Sequence, residues 1–166
     1  MFRVSLRAAS IAALLALAPQ AASGAPTPAA VSDTSLAEAA RPAAAAVDAF
    51  HAALRSGDPK AALALVADDA LVFEDGRVER TKSEYALRHA AADAEFSKAT
   101  SMKRLSRTGR ATADMALIAS ESRNRGRFRG QEVDRIMVET MVLRRDPGGA
   151  WKIVHIHWSS AQPSTE

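Results

Sequence analysis

The chain contains no cysteine. That excludes disulfides and the lipid-bearing cysteine of an exported lipoprotein. Aromatic residues are scarce, 5% of 166 positions with one tyrosine. Only Phe128 interleaves with the densest basic cluster, so the stacking platform that single-stranded nucleic acid requires is absent. An excess of one charge is lacking too. Of 22 Lys+Arg, Arg3 and Arg7 fall in a segment expected to be removed, leaving 20 against 19 Asp+Glu. The sequence pI near 9.7 is therefore a weak argument for a nucleic-acid partner. The apolar run at 8–18 is too short for a permanent membrane span. No internal repeat, nucleotide loop, nucleophile elbow or redox motif is visible.

What is present begins with the three-part layout of a secretory signal peptide: two arginines in the first seven residues, the apolar run, then small residues to Ala25. Residues 1–24 read as that signal and 25–41 as a flexible linker rich in Pro, Ala and Ser. Residues 42–161 read as one folded domain, with 162–166 a disordered tail. The expected location is periplasmic or secreted, with no stable membrane anchor. Arg123, Arg125, Arg127 and Arg129 cluster around an expected hairpin, with Lys103, Arg104, Arg107 and Arg110 upstream. They read as a solvated edge rather than a phosphate-binding patch. An anionic small molecule is the one ligand this edge leaves open.

Ala46, Val47, Phe50 and Leu54 recur at helical spacing after Arg41-Pro42, and Gly57 supplies a stop. Asp58-Pro59 opens a short second helix, with Leu63 and Val66 inward. A short strand at 71–76 runs into a turn. Thr81-Lys-Ser-Glu84 is a capping box, and a third helix is expected from there to about Lys98. The rest reads as β, with strands near 101–108, 111–122, 128–145 and 150–160. Asn124-Arg-Gly126 and Pro147-Gly-Gly149 are the hairpin signals. Connections this short make neighbours antiparallel. Both faces of the third strand are largely apolar, so one should meet helices and the other a second subunit.

Three helices, a four-strand meander and the endings Glu139-Thr-Met-Val-Leu143 and Trp151-Lys-Ile-Val-His-Ile-His-Trp158-Ser-Ser resemble the nuclear transport factor 2-like superfamily. Within it, the chain is similar to SnoaL-like domains and to the association domain of calcium/calmodulin-dependent kinase. The resemblance covers about 43–160. It implies an α+β, cone-shaped half-barrel, with three N-terminal helices on a strongly curved antiparallel sheet of four or more strands. It also implies an internal pocket and a homodimer through the sheet. It implies no single activity, because relatives include isomerases, dehydratases, cyclases and binding modules.

The pocket candidates follow. Tyr85, His89, Ala92 and Phe96 form one helical stripe expected to face the sheet, where Tyr85 could donate and His89 act as a base. Glu139 sits between Met137 and Met141 on one face of a central strand, where a carboxylate needs a partner. Strand alternation puts His155 and His157 together, beside Trp151 and Ile153. The kinase resemblance instead implies that Met141 and Trp158 line the pocket, which sends both histidines to the opposite face. A β-bulge decides between the two. The pocket set is thus Tyr85, His89, Phe96, Glu139, Met141 and Trp158, with Glu139 and His89 as catalytic candidates and His155 and His157 at pocket or interface. No cofactor or metal is expected. A zinc site on His155 and His157 with His89 or Glu139 is the lesser variant, and His51 is set aside on the first helix. The expectation is an exported pocket protein for a small, partly apolar organic ligand. An isomerase, dehydratase or cyclase using Glu139 or His89, or a dimeric interaction module, is the alternative.

Overall fold

The computed structural model describes residues 35–164. The expected signal peptide, most of the expected linker and the last two residues lie outside them. Among the described residues, no helix is long and apolar enough to cross a membrane.

Helix α1 (Arg41–Ser56) carries Pro42 in its first turn and buries Val47, Phe50 and Leu54 along one stripe. It ends where Gly57 takes a left-handed conformation, φ 77°, which glycine adopts without a Cβ penalty. Helix α2 (Pro59–Leu63) starts where the Asp58 carboxylate accepts the Ala61 N–H at 2.9 Å. Strand β2 (Val66–Glu74) turns through Asp75-Gly76, both at positive φ, into β3 (Arg77–Glu79). Helix α3 (Lys82–Arg88) opens with the Thr81 hydroxyl accepting the Glu84 N–H, while the Glu84 carboxylate accepts the Arg80 N–H. The single third helix expected to reach Lys98 is broken. At His89 the backbone leaves the helical region (φ −124°, ψ −35°), and α4 (Ala90–Ala99) resumes beyond it. That break ends the stripe that was to carry His89 and Phe96 on one face.

Strands β4 (Thr100–Ala111), β5 (Met115–Phe128), β6 (Gln131–Arg145) and β7 (Trp151–Ala161) form the antiparallel meander. Its edges differ from the expectation, because β2 runs parallel to β7, and β1 (Ser35–Leu36) runs parallel to β4. The result is a curved, unclosed, mixed sheet in the order β1-β4-β5-β6-β7-β2-β3. Strand β1 and the turn at Glu38–Ala40, with Ala40 buried, fall inside the stretch expected to be a linker. Asn124-Arg-Gly126 is not a hairpin, since β5 runs through it to a turn at Arg129-Gly130. Gly126 is needed for close approach instead. A Cβ there would lie 2.5 Å from the Ala99 carbonyl oxygen, where α4 passes into β4.

Helices α1 and α4 cover the inner face of the sheet, and the core lies between. Phe50, Leu54, Ile118, Met141, Leu143, Ile153 and Ile156 are all buried there, each contributing roughly 1.5–3 kcal/mol. Two bulges decide which side chains join them. The register of β4 slips between Arg104 and Ser106, so Leu105 is the extra residue. The register of β7 against β6 slips between Ile153 and His155, so Val154 is the extra one. The second bulge corrects the simple alternation. Trp151, Ile153, Ile156 and Trp158 are buried inside, whereas His155 and His157 project outward beside Phe73, at ring distances of 5.1 and 6.3 Å. The outer face also leaves Leu71, Phe73, Leu117 and Val138 exposed.

Candidate functional site

The register places five inner-face residues in one row across the sheet. Arg107 pairs with Ser120, Ser120 with Glu139, Glu139 with Trp158, and Trp158 with Glu74. Adjacent strands lie about 4.8 Å apart, so the row runs from a guanidinium at one end to a carboxyl at the other. The next row towards the core is Gly109, Ile118, Met141, Ile156 and Val72, without a single polar side chain. A cavity of about 90 Å³ stands on the polar row. His51 and Leu54 of α1 and Asp93 and Phe96 of α4 line it from the helix side, and Arg104 and Met137 line it beyond the polar row.

Glu139 is the centre of the row and 8% exposed. Its Oε2 accepts the Trp158 Nε1–H at 2.8 Å and lies 2.7 Å from His51 Nε2. An ionised carboxylate can only accept, so the His51 proton sits on Nε2 in this pair. The other oxygen, Oε1, is buried with no hydrogen-bond partner. Burial pushes the Glu139 carboxyl up, but the His51 charge, the bonds from His51 and Trp158 and the nearby Arg107 outweigh it. The net shift is downward. Phe50 fixes the pair from behind, edge-on to His51 at 5.5 Å and stacked on Trp158 at 6.3 Å.

The far end behaves in the opposite way. Burial, reinforced by Asp93, raises the Glu74 carboxyl to about 7. Asp93 is raised as well, chiefly by burial. The Tyr85 hydroxyl donates to Asp93 Oδ2 at 2.7 Å, and burial pushes the phenol well above its ordinary range. Three elements therefore bring Glu74, Tyr85 and Asp93 to the end of the cavity opposite Arg107.

Of the residues singled out in the sequence, Phe96, Glu139 and Trp158 line the cavity. Tyr85 lies behind it, held by Asp93, and Met141 belongs to the apolar row beneath. His89 does not meet Glu139. Its Nδ1 lies 2.7 Å from Glu79 Oε1. His155 and His157 face away, and the His155 Nδ1 lies 3.1 Å from the Leu71 carbonyl. The zinc variant loses its third ligand, because Glu139 points inward and His89 is held by Glu79. Among the described residues no three ligating side chains cluster.

Sequence reasoning missed three participants. His51 sits four residues after Val47 and three before Leu54, on the shoulder of the α1 stripe, and that spacing was the available signal. Glu74 alternates with Ala70 and Val72, but the expected turn at the end of β2 hid it. Arg107 was read with the solvated arginines, yet it is 3% exposed. Its Nη1 donates to Asp48 at 2.8 Å and its Nε to Ser120 at 3.1 Å. The hairpin arginines are different. Arg123 and Arg125 meet Asp134, Arg127 meets Glu132 and Arg129 meets Glu95, all near the surface.

Comparison with known proteins adds a family. The model of the SnoaL-like domain matches residues 43–163. A candidate ketosteroid isomerase from Shewanella frigidimarina is 35% identical, with TM-score 0.67, covering 69% of this chain and 92% of that one. A candidate calcium/calmodulin-dependent protein kinase II association domain from Xanthomonas campestris is 22% identical, with TM-score 0.66, covering 82% and 98%. A candidate dehydratase of the nuclear transport factor 2-like family from Streptomyces avermitilis is 20% identical, with TM-score 0.62, covering 73% and 95%. The last two likenesses bear on the fold alone. No curated protein matches the chain.

Proposed function

The chain belongs to the SnoaL-like domain family, and on that premise we propose that its cavity performs acid–base chemistry on a small carbonyl compound, as an isomerase or dehydratase does. One observation carries this reading. Glu139 lines the cavity, with one oxygen fixed by two donors and the other buried and unpartnered. A buried carboxylate oxygen without a partner is costly, and a base awaiting a proton is a role that accounts for the cost.

The two carboxyls divide the labour. Glu139, held low, is ionised at neutral pH and takes a proton from carbon beside a carbonyl. Glu74, near 7, is largely protonated below neutrality and returns a proton to the developing oxyanion or to a departing hydroxyl. Environments that push two such groups apart assign the base and the acid. The cavity size sets the scale of the ligand. About 90 Å³ is well below the ~300–1,000 Å³ of pockets for drug-sized ligands. This favours compounds of a few carbons over a steroid. The Shewanella relative's description as an isomerase is in keeping with such proton transfer.

The test is deuterium incorporation next to the carbonyl of short ketones and 3-oxo acids in heavy water, followed by NMR across pH 4–9. Wild type should show a bell-shaped profile whose upper limb falls near pH 7. Glu139→Gln should lose at least about 100-fold, and Glu74→Gln should lose the upper limb. Exchange that is absent, or unchanged in Glu139→Gln, leaves a binding module. We further infer export from the first 24 residues, and a second copy of the chain on the outer sheet face.

A further inference from the structure

We infer that Arg107 makes this cavity a site for a small organic acid, with the ligand's carboxylate received by the buried guanidinium and its reacting carbon lying towards Glu139. The inference rests on the acid–base reading of the same cavity and names the class of substrate it takes.

The argument starts from the Leu105 bulge. A regular β4 would alternate Arg104, Ser106 and Thr108 on one face. The extra residue puts Arg104 and Arg107 on the inner side together. Arg107 is then clamped from two directions, by Asp48 of α1 through Nη1 and by Ser120 of β5 through Nε. The third nitrogen, Nη2, carries no bond to any described residue, although the side chain is almost wholly buried against the cavity. A guanidinium fork held rigid on two sides and open on the third suits a planar carboxylate.

Charge favours the same assignment. Arg104 and Arg107 stand together on β4, with Asp48 shared between them, and Arg55 also lines the cavity. Glu139 is already engaged by His51 beside it, at 2.7 Å. The two acids at the other end, Glu74 and Asp93, lie across Trp158 from the guanidinium. In the row, Arg107 and Glu139 are two strands apart, about 10 Å between backbones, and both side chains line the cavity. A three- or four-carbon acid bridges that interval, with the carbon next to its carboxylate offered to the Glu139 carboxylate. The carbonyl or hydroxyl at the next carbon is then directed towards Glu74. A 3-oxo or 3-hydroxy acid has this arrangement of groups.

The test uses the full chain with acetoacetate and its methyl ester, which differ in charge but share the reacting carbon. Binding is measured by calorimetry and exchange by NMR. The acid should bind about 10- to 100-fold tighter than the ester, as loss of a charge-assisted bond to a buried donor implies. Arg107→Leu should erase the difference, and Arg107→Lys should keep part of it. If Arg107→Leu fails to fold, the acid–ester comparison in wild type still decides. Equal binding of acid and ester, with exchange intact and Glu139-dependent, overturns the anchor and leaves the acid–base reading standing. Preference for the acid without exchange on either compound upholds the anchor and sinks the acid–base reading. Binding of neither compound overturns both.

Discussion

Replacing His51 by alanine tests the electrostatic account of the site without requiring a substrate. In wild type, Glu139 has a folded-state pKa below its unfolded value. Its contribution to stability is therefore complete above the unfolded value, about 4.3, and is lost as pH falls through the folded one. His51→Ala removes the nearest partner and one of two donors to Oε2. Burial, the largest influence on this carboxyl, is then opposed only by Trp158 and Arg107. The pKa should rise above 4.3, and the sign of the linkage reverses. The variant gains relative stability on acidification and loses it as pH rises. An uncompensated buried charge costs about 3–5 kcal/mol. Glu139→Gln removes the charge itself and forfeits only charge-assisted bonds, about 1.5–3 kcal/mol. Thermal unfolding followed by circular dichroism at pH 4, 6 and 8 reads both effects. At pH 8 His51→Ala should melt roughly 10–20 °C below wild type, and Glu139→Gln should lie between them. At pH 4 the gap between His51→Ala and wild type should shrink. A His51→Ala deficit that is equal at pH 4 and 8, or smaller than that of Glu139→Gln at pH 8, would refute the reasoning.

Two further outcomes are expected. Gly126→Ala should lower stability by about 2 kcal/mol, because the added Cβ meets the Ala99 carbonyl oxygen at 2.5 Å. Chemical denaturation measures this, and a neutral result would mean that the α4–β4 junction shifts freely. Val138→Glu, on the exposed outer face, should convert a dimer to a monomer in sedimentation velocity with the melting temperature little changed. Wild type sedimenting as a monomer removes the proposed second copy.

The sequence by itself determined most of the elements and their broad order, because those rest on local chemistry. Asp58-Pro59, the Thr81 cap, Gly57 and Pro147-Gly-Gly149 act within a few residues of themselves. The apolar periodicity of α1 placed its buried face. Alternation around Met137 and Met141 was enough to single out Glu139. What the tertiary structure decided is mostly parity and partnership. Bulges at Leu105 and Val154 each insert one residue into a two-residue repeat, and that one residue turns Arg107 inward and sends His155 and His157 outward. Nothing in the composition of those strands announces the insertion, since its cause is the fit of one strand against its neighbours. The partner of Glu139 was invisible for a related reason. His51 lies 88 residues away in the chain, and His89, closer in sequence, is drawn to Glu79 where the helix breaks. Glu74 reaches the cavity only because β2 adds to the sheet parallel to β7, opposite Trp158. Contacts between distant segments are set by packing the whole domain, and local pattern carries no record of them.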